Sequence, residues 1–137
     1  MSRREIQRAL YGGVKRKGPE SSIQAACLDW LNTLPEALFF RRNVGAATFE
    51  SEDGSATFVR FNEKGMSDIW GLLAGVHVEI EVKQHGKHPS AEQVAWLHLM
   101  RERGAIAFWC DSLDSLIVNM RSEYQQRQWL WRKSWEV

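Results

Sequence analysis

Between Val76 and Lys83 the chain alternates strictly. Val76, Val78, Ile80 and Val82 fall on one side, and His77, Glu79, Glu81 and Lys83 on the other. A period of two belongs to a strand, and this one is expected to carry one apolar and one polar face. Upstream, the apolar run that opens at Ile69 reads as a neighbouring strand, antiparallel through a turn at Ala74-Gly75. Downstream, Ser90-Ala91-Glu92-Gln93 has the form of a capping box, with Ser90 as N-cap and Gln93 three residues on. The helix it opens carries Val94, Leu97 and Met100, runs to Arg103 and closes at Gly104. Ala105 to Cys110 is short enough for a buried strand, and Ser112 to Gln128 is helical in pattern.

The first half is read the same way. Residues 3 to 11 are expected to form a short amphipathic helix with Ile6 and Leu10 inward, ended by Gly12-Gly13, and Lys15 to Pro19 reads as a basic linker. A second helix opens at Pro19-Glu20-Ser21 and carries Ile23, Cys27, Trp30, Leu31 and Leu34 at helical spacing until Pro35 stops it. Leu38-Phe39-Phe40 starts a strand that leaves through Arg41-Arg42. Val44 to Ser55 reads as a hairpin or loop, and Ala56 to Phe61 as the return strand. Helices around one small mixed sheet, an α/β domain, are the natural packing of this order.

The length of 137 residues fits one domain with a core. The net charge of +1 hides an asymmetry. Residues 1–18 hold Arg3, Arg4, Arg8, Lys15, Arg16 and Lys17 against Glu5, a net of +5, and the remainder nets −4. A basic arm on a mildly acidic body suits a polyanion, and equally suits a solubilising terminus. Cys27 and Cys110 sit in apolar contexts and read as reduced core residues of a cytosolic chain. The N-terminus lacks the apolar segment of a secretory signal, and the longest apolar run, Ile69 to Val78, is too short to span a bilayer. Residues 124–137 form a Trp-rich extension. Trp129, Trp131 and Trp135, interleaved with Arg132 and Lys133, suit docking on the domain or on a dimer partner, or stacking on unpaired bases.

The candidate chemistry lies in Lys64 to Lys83. If Asp68 starts the strand beside Val76–Lys83, its carboxylate reaches Glu81, and Lys83 projects from the same face. Two acids and an ammonium at one point suit a hard divalent cation together with a phosphate. Taken alone, Glu81-x-Lys83 is the pattern of a solvated strand face with a weak surface ion pair. Glu20 complements the positive end of its helix whatever else it does, and Gln93 caps its own. Arg41 and Arg42 can hold phosphates or cap a sheet edge. His85 and His88 are placed to touch a substrate but lack the spacing of a zinc motif.

Taken in order, Glu20, Gly65-x-Ser67-Asp68, Glu81-x-Lys83 and Gln93 resemble the VRR-Nuc domain, a branch of the PD-(D/E)xK nuclease superfamily. The segments PESSIQ, RRNVGA, GMSDIWG, EIEVK and AEQ look like the family's blocks in the right order, over roughly residues 20 to 115. The resemblance implies a restriction-endonuclease-like core over 19–123, flanked by the arm 1–18 and the extension 124–137. It implies a Mg²⁺- or Mn²⁺-dependent DNA endonuclease, with Asp68, Glu81, the backbone carbonyl of Val82 and Glu20 as metal ligands. Lys83 would orient the attacking water, and Gln93 would support the site from its helix. It further implies a homodimer acting on branched DNA, Holliday junctions included, in the cytoplasm of a bacterial or phage-infected cell. Lys15, Arg16, Lys17, Arg41 and Arg42 are the candidate DNA-binding residues. The alternative is a module with the nuclease fold that holds structured DNA without cutting it. The Ile69-Trp70 and Gly71-Leu72 steps after Asp68 are bulkier than in many relatives and put the shape of the groove in doubt.

Overall fold

The structure is a computed structural model. It describes residues 2, 5, 18–42, 46–60 and 64–135, with backbone alone for 46–49, 58–60 and 128–135. The proposed helix over 3–11, Lys15, Arg16 and Lys17, and the tryptophan side chains of the extension lie outside that description.

The elements run α1 (Pro19–Leu31), β1 (Ala37–Arg41), β2 (Ala46–Glu50), β3 (Ala56–Arg60), β4 (Ile69–Leu73), β5 (Val76–Val82), α2 (Ala91–Glu102), β6 (Ile106–Cys110) and α3 (Leu113–Trp135). Four strands form the main sheet in the order β1-β4-β5-β6. The first two pairings are antiparallel and the last is parallel. This is a small mixed α/β fold with helices on both faces, consistent with a restriction-endonuclease-like core.

Each strand divides its residues between two layers. Phe39, Ile69, Val78, Ile80, Val82, Phe108 and Cys110 point toward α1 and α3. There they meet Cys27, Leu28, Leu31, Leu116 and Met120 in one buried cluster. The opposite face of β5 and β6 lies under α2. The hairpin between β4 and β5 turns on Ala74 and Gly75, with φ of 49° and 80°. Two consecutive left-handed residues match the twist of the strands they join.

Gly71 answers to packing rather than to a turn. A Cβ there would strike the carbonyl of Leu38 and stand 2.7 Å from the ring of Phe39. Phe39 is fully buried and pairs with Gly71 across β1 and β4, so the ring takes the place of a side chain.

Four expectations change. β3 is not the return strand of β1: it pairs with β2 in a separate two-stranded sheet, and the partner of β1 is β4. α1 stops at Leu31, four residues before Pro35. Asn32 turns the chain there, accepting the Phe39 N–H at 2.9 Å and donating to its carbonyl at 3.2 Å. α3 runs on to Trp135, past the end expected at Gln128. Finally, the polar side of β5 is not solvated, since Glu79 and Glu81 are each 1% exposed.

Candidate active site

Asp68 lies one residue before β4, and Glu81 near the end of β5. Ile69 pairs with Ile80, so the antiparallel register sets Asp68 opposite Glu81. Asp68 Oδ2 accepts the Val82 N–H at 3.2 Å, which turns its carboxylate toward β5. Gly65 shapes the approach. Its φ is 88°, and a Cβ would come within 2.6 Å of the Glu92 carbonyl oxygen, so the turn before Asp68 rests on the first turn of α2.

That same turn of α2 supplies Gln93. The capping box is complete: Ser90 Oγ accepts the Gln93 N–H, and Gln93 Oε1 accepts the Ser90 N–H at 2.8 Å. The amide nitrogen of Gln93 then donates to Glu81 Oε1 at 2.8 Å. Lys83, two residues beyond on the same face of β5, brings its ammonium to 3.7 Å from Glu81 Oε1. The second carboxylate oxygen of Glu81 is buried and has no hydrogen-bond partner.

The electrostatics follow. Burial first, and then the charge of the neighbouring Asp68 carboxylate, push the Glu81 pKa from 4.5 to about 9. Lys83 pulls the other way and does not outweigh them. Glu20, in the first turn of α1, adds to the rise and is therefore close enough to act on the site. Without a cation, the buried Glu81 carboxyl keeps its proton at neutral pH. A buried carboxylate oxygen with no donor beside a second carboxylate is an arrangement that could hold a cation. Among the described residues, however, no group of three or more His, Cys, Asp or Glu side chains converges as a metal cluster.

The remaining candidates are placed as follows. Arg41 donates to the Ser21 carbonyl at 3.1 Å, next to the start of α1. The Arg42 side chain is 10% exposed, and its guanidinium grips Glu79 with Nη1–Oε2 at 2.6 Å and Nη2–Oε1 at 2.8 Å. Arg42, expected as a phosphate contact, is thus already engaged with a carboxylate inside the fold. His85 is exposed with Nδ1 3.3 Å from Asp111 Oδ2, and His88 packs edge-on against Trp109. Neither reaches the acids through any described contact. Sequence reasoning missed Glu79. It counted only as one more residue of the polar side of the strand, and the only signal was its place between His77 and Glu81.

No known family model matches this chain, and no curated protein matches it. Five solved chains match in structure. One of them, described as "VRR_NUC domain", has a TM-score of 0.54 at 20% identity and covers 77% of this chain and 97% of its own length. At that identity the likeness is one of fold.

Proposed function

We propose that this protein is a divalent-metal-dependent nuclease that hydrolyses phosphodiester bonds in DNA. The observation that carries the reading is the meeting of Asp68 and Glu81 on adjacent strands, with Lys83 and Gln93 on the same carboxylate. The likeness of fold to a domain described as VRR_NUC supports it. Asp68, Glu81, the Val82 carbonyl and Glu20 would hold Mg²⁺ or Mn²⁺, both of which take oxygen ligands. When bound, such an ion supplies positive charge against the phosphoryl oxygens and acidifies water.

The side chains divide the rest of the work. Gln93 fixes Oε1 of Glu81 and leaves Oε2 open. Lys83 adds a point charge beside the attacked phosphate and orients the incoming water. Burial of the site strengthens both effects. Its substrate is branched DNA, four-way junctions included, and its working form is a homodimer, because symmetric cuts need two sites related by a two-fold axis. Residues 19–123 are the nuclease unit, and the basic arm over 1–18, with Lys15, Arg16 and Lys17, holds the DNA backbone.

One observation favours a second reading. With no three-carboxylate cluster among the described residues, the same fold suits a module that holds structured DNA without cutting it. A cleavage panel decides between them. Four-way junction, flap, single strand and duplex are incubated with Mg²⁺, Mn²⁺ or EDTA, for the wild type and Lys83→Ala. The nuclease reading expects cutting with metal, none in EDTA, and a severe loss in Lys83→Ala. Tight binding with no cutting in either metal would establish the second reading.

A further inference from the structure

Two residues before Glu81, on the same face of β5, lies a second buried carboxylate with the opposite character. Burial pushes Glu79 upward, but Arg42, Ser67 and His77 outweigh it and hold its pKa below the ordinary carboxylate value. Arg42 meets both carboxylate oxygens, Ser67 Oγ donates to Oε2, and His77 Nε2 lies 2.9 Å from Oε1. The Arg42 guanidinium is itself set between two indoles, 5.8 Å from the ring centre of Trp70 and 5.9 Å from that of Trp96.

What Arg42 does with its other donors gives the pair a purpose. Nη1 donates to the Ser67 carbonyl at 3.3 Å, and the backbone N–H of Arg42 donates to the Asp68 carbonyl at 2.6 Å. The ladder between β1 and β4 ends at Arg41 and Ile69. Beyond it, residues 67 and 68 are held to β1 by Arg42, and Arg42 is held by Glu79. Glu79 has no oxygen left for a cation, since Arg42 takes both.

We propose that Arg42 and Glu79 form a positioning pair that fixes Asp68 against Glu81 and so sets the affinity of the two acids for a divalent cation. The inference rests on the reading of Asp68 and Glu81 as a cation site. A buried ion pair is a weak source of stability, and well-packed apolar residues often replace one without loss. Its directed hydrogen bonds are what apolar residues cannot replace. Here one of those bonds, from Arg42 Nη1, ends on the Ser67 carbonyl of the peptide unit that leads into Asp68, and Glu79 holds Arg42 where its backbone N–H meets the Asp68 carbonyl.

Four variants separate position from stability: Glu79→Gln, Arg42→Lys, the apolar double Arg42→Met with Glu79→Leu, and Asp68→Asn as a control. Unfolding free energy, Mn²⁺ affinity by electron paramagnetic resonance, and metal-free amide exchange at Val82 and Arg42 are measured on the full chain. Glu79→Gln and Arg42→Lys should weaken Mn²⁺ binding by about 10- to 100-fold, the range for residues that orient metal ligands. Both should speed exchange at the Val82 and Arg42 amides more than elsewhere in β1 and β5. The double variant should regain stability and keep the weakened affinity, and it serves even if the single variants do not fold. Wild-type Mn²⁺ affinity in the double variant, or affinity that simply follows stability, would overturn the proposal. If Asp68→Asn also binds Mn²⁺ normally, the cation-site reading itself fails. If Asp68→Asn loses Mn²⁺ and the pair variants do not, only the positioning role falls.

Discussion

Replacing Glu81 by Gln should make this protein more stable while removing its activity, and the gain should grow with pH. The Glu81 carboxyl has a pKa of 4.5 in the unfolded chain and about 9 in the folded one. Between those values the folded state keeps a proton that the unfolded state has released. Stability from this group is therefore complete below about pH 4.5 and falls as pH rises toward 9. The slope is about 1.4 kcal/mol per pH unit. At pH 7 the accumulated loss is about 3 kcal/mol at most. A glutamine has the shape and hydrogen bonds of the protonated acid and does not titrate. Its oxygen can accept from Gln93, and its amide nitrogen can donate to Asp68. Urea unfolding followed by tryptophan fluorescence, in EDTA at pH 5, 6, 7 and 8, measures the difference between variant and wild type. The expected difference is small at pH 5 and rises to several kcal/mol at pH 8. A difference that does not change with pH, or a variant less stable than wild type at pH 8, would refute the account of a buried, protonated Glu81.

Further outcomes follow from the same geometry. Mn²⁺ binding at pH 7 should release close to one proton per ion and tighten as pH rises, which calorimetry in buffers of different ionisation enthalpy reads directly. Asp68→Ala should cut cleavage by about two or more orders of magnitude and leave DNA affinity in EDTA unchanged, as measured by single-turnover kinetics and anisotropy. Gly71→Ala should cost roughly 2–4 kcal/mol in chemical unfolding, because the Leu38 carbonyl and the buried Phe39 ring occupy the space its methyl needs. Cys27 and Cys110 should resist thiol reagents in the folded protein and react on unfolding. Both are buried, and a hydrogen bond donated to Cys27 together with burial pushes the Cys110 thiol up.

The parts of the site that local pattern controls were legible in the chain. The alternation of Val76 to Lys83 gave β5, Ala74-Gly75 gave its antiparallel partner, and Ser90 with Gln93 gave the start of α2. What pattern could not give was which polar face would be covered. The alternation marks His77, Glu79, Glu81 and Lys83 as a polar row without saying whether it is covered, because strand periodicity records contrast between faces and not burial. The cover comes from α2, and the ion that neutralises Glu79 comes from Arg42, 37 residues away. Partner choice was equally non-local. Ala56 to Arg60 is a strand as its alternation suggests, but nothing in it says that β2 rather than β1 lies beside it. Helix ends failed for a third reason. Pro35 is a sound stop signal, yet the side chain of Asn32 binds the backbone of Phe39 and draws the chain out of the helix earlier.

The amide of Gln93 has one further consequence. Its oxygen is committed to the peptide N–H of Ser90 and its nitrogen to Glu81, so rotating the group by half a turn would break both bonds at once. Most glutamines tolerate glutamate in their place, and at a helix start the two are interchangeable. Here the exchange would keep the helix start and turn a donor into a third carboxylate beside Asp68 and the buried Glu81. A position that looks freely variable by its local role is thus closed to its nearest chemical neighbour.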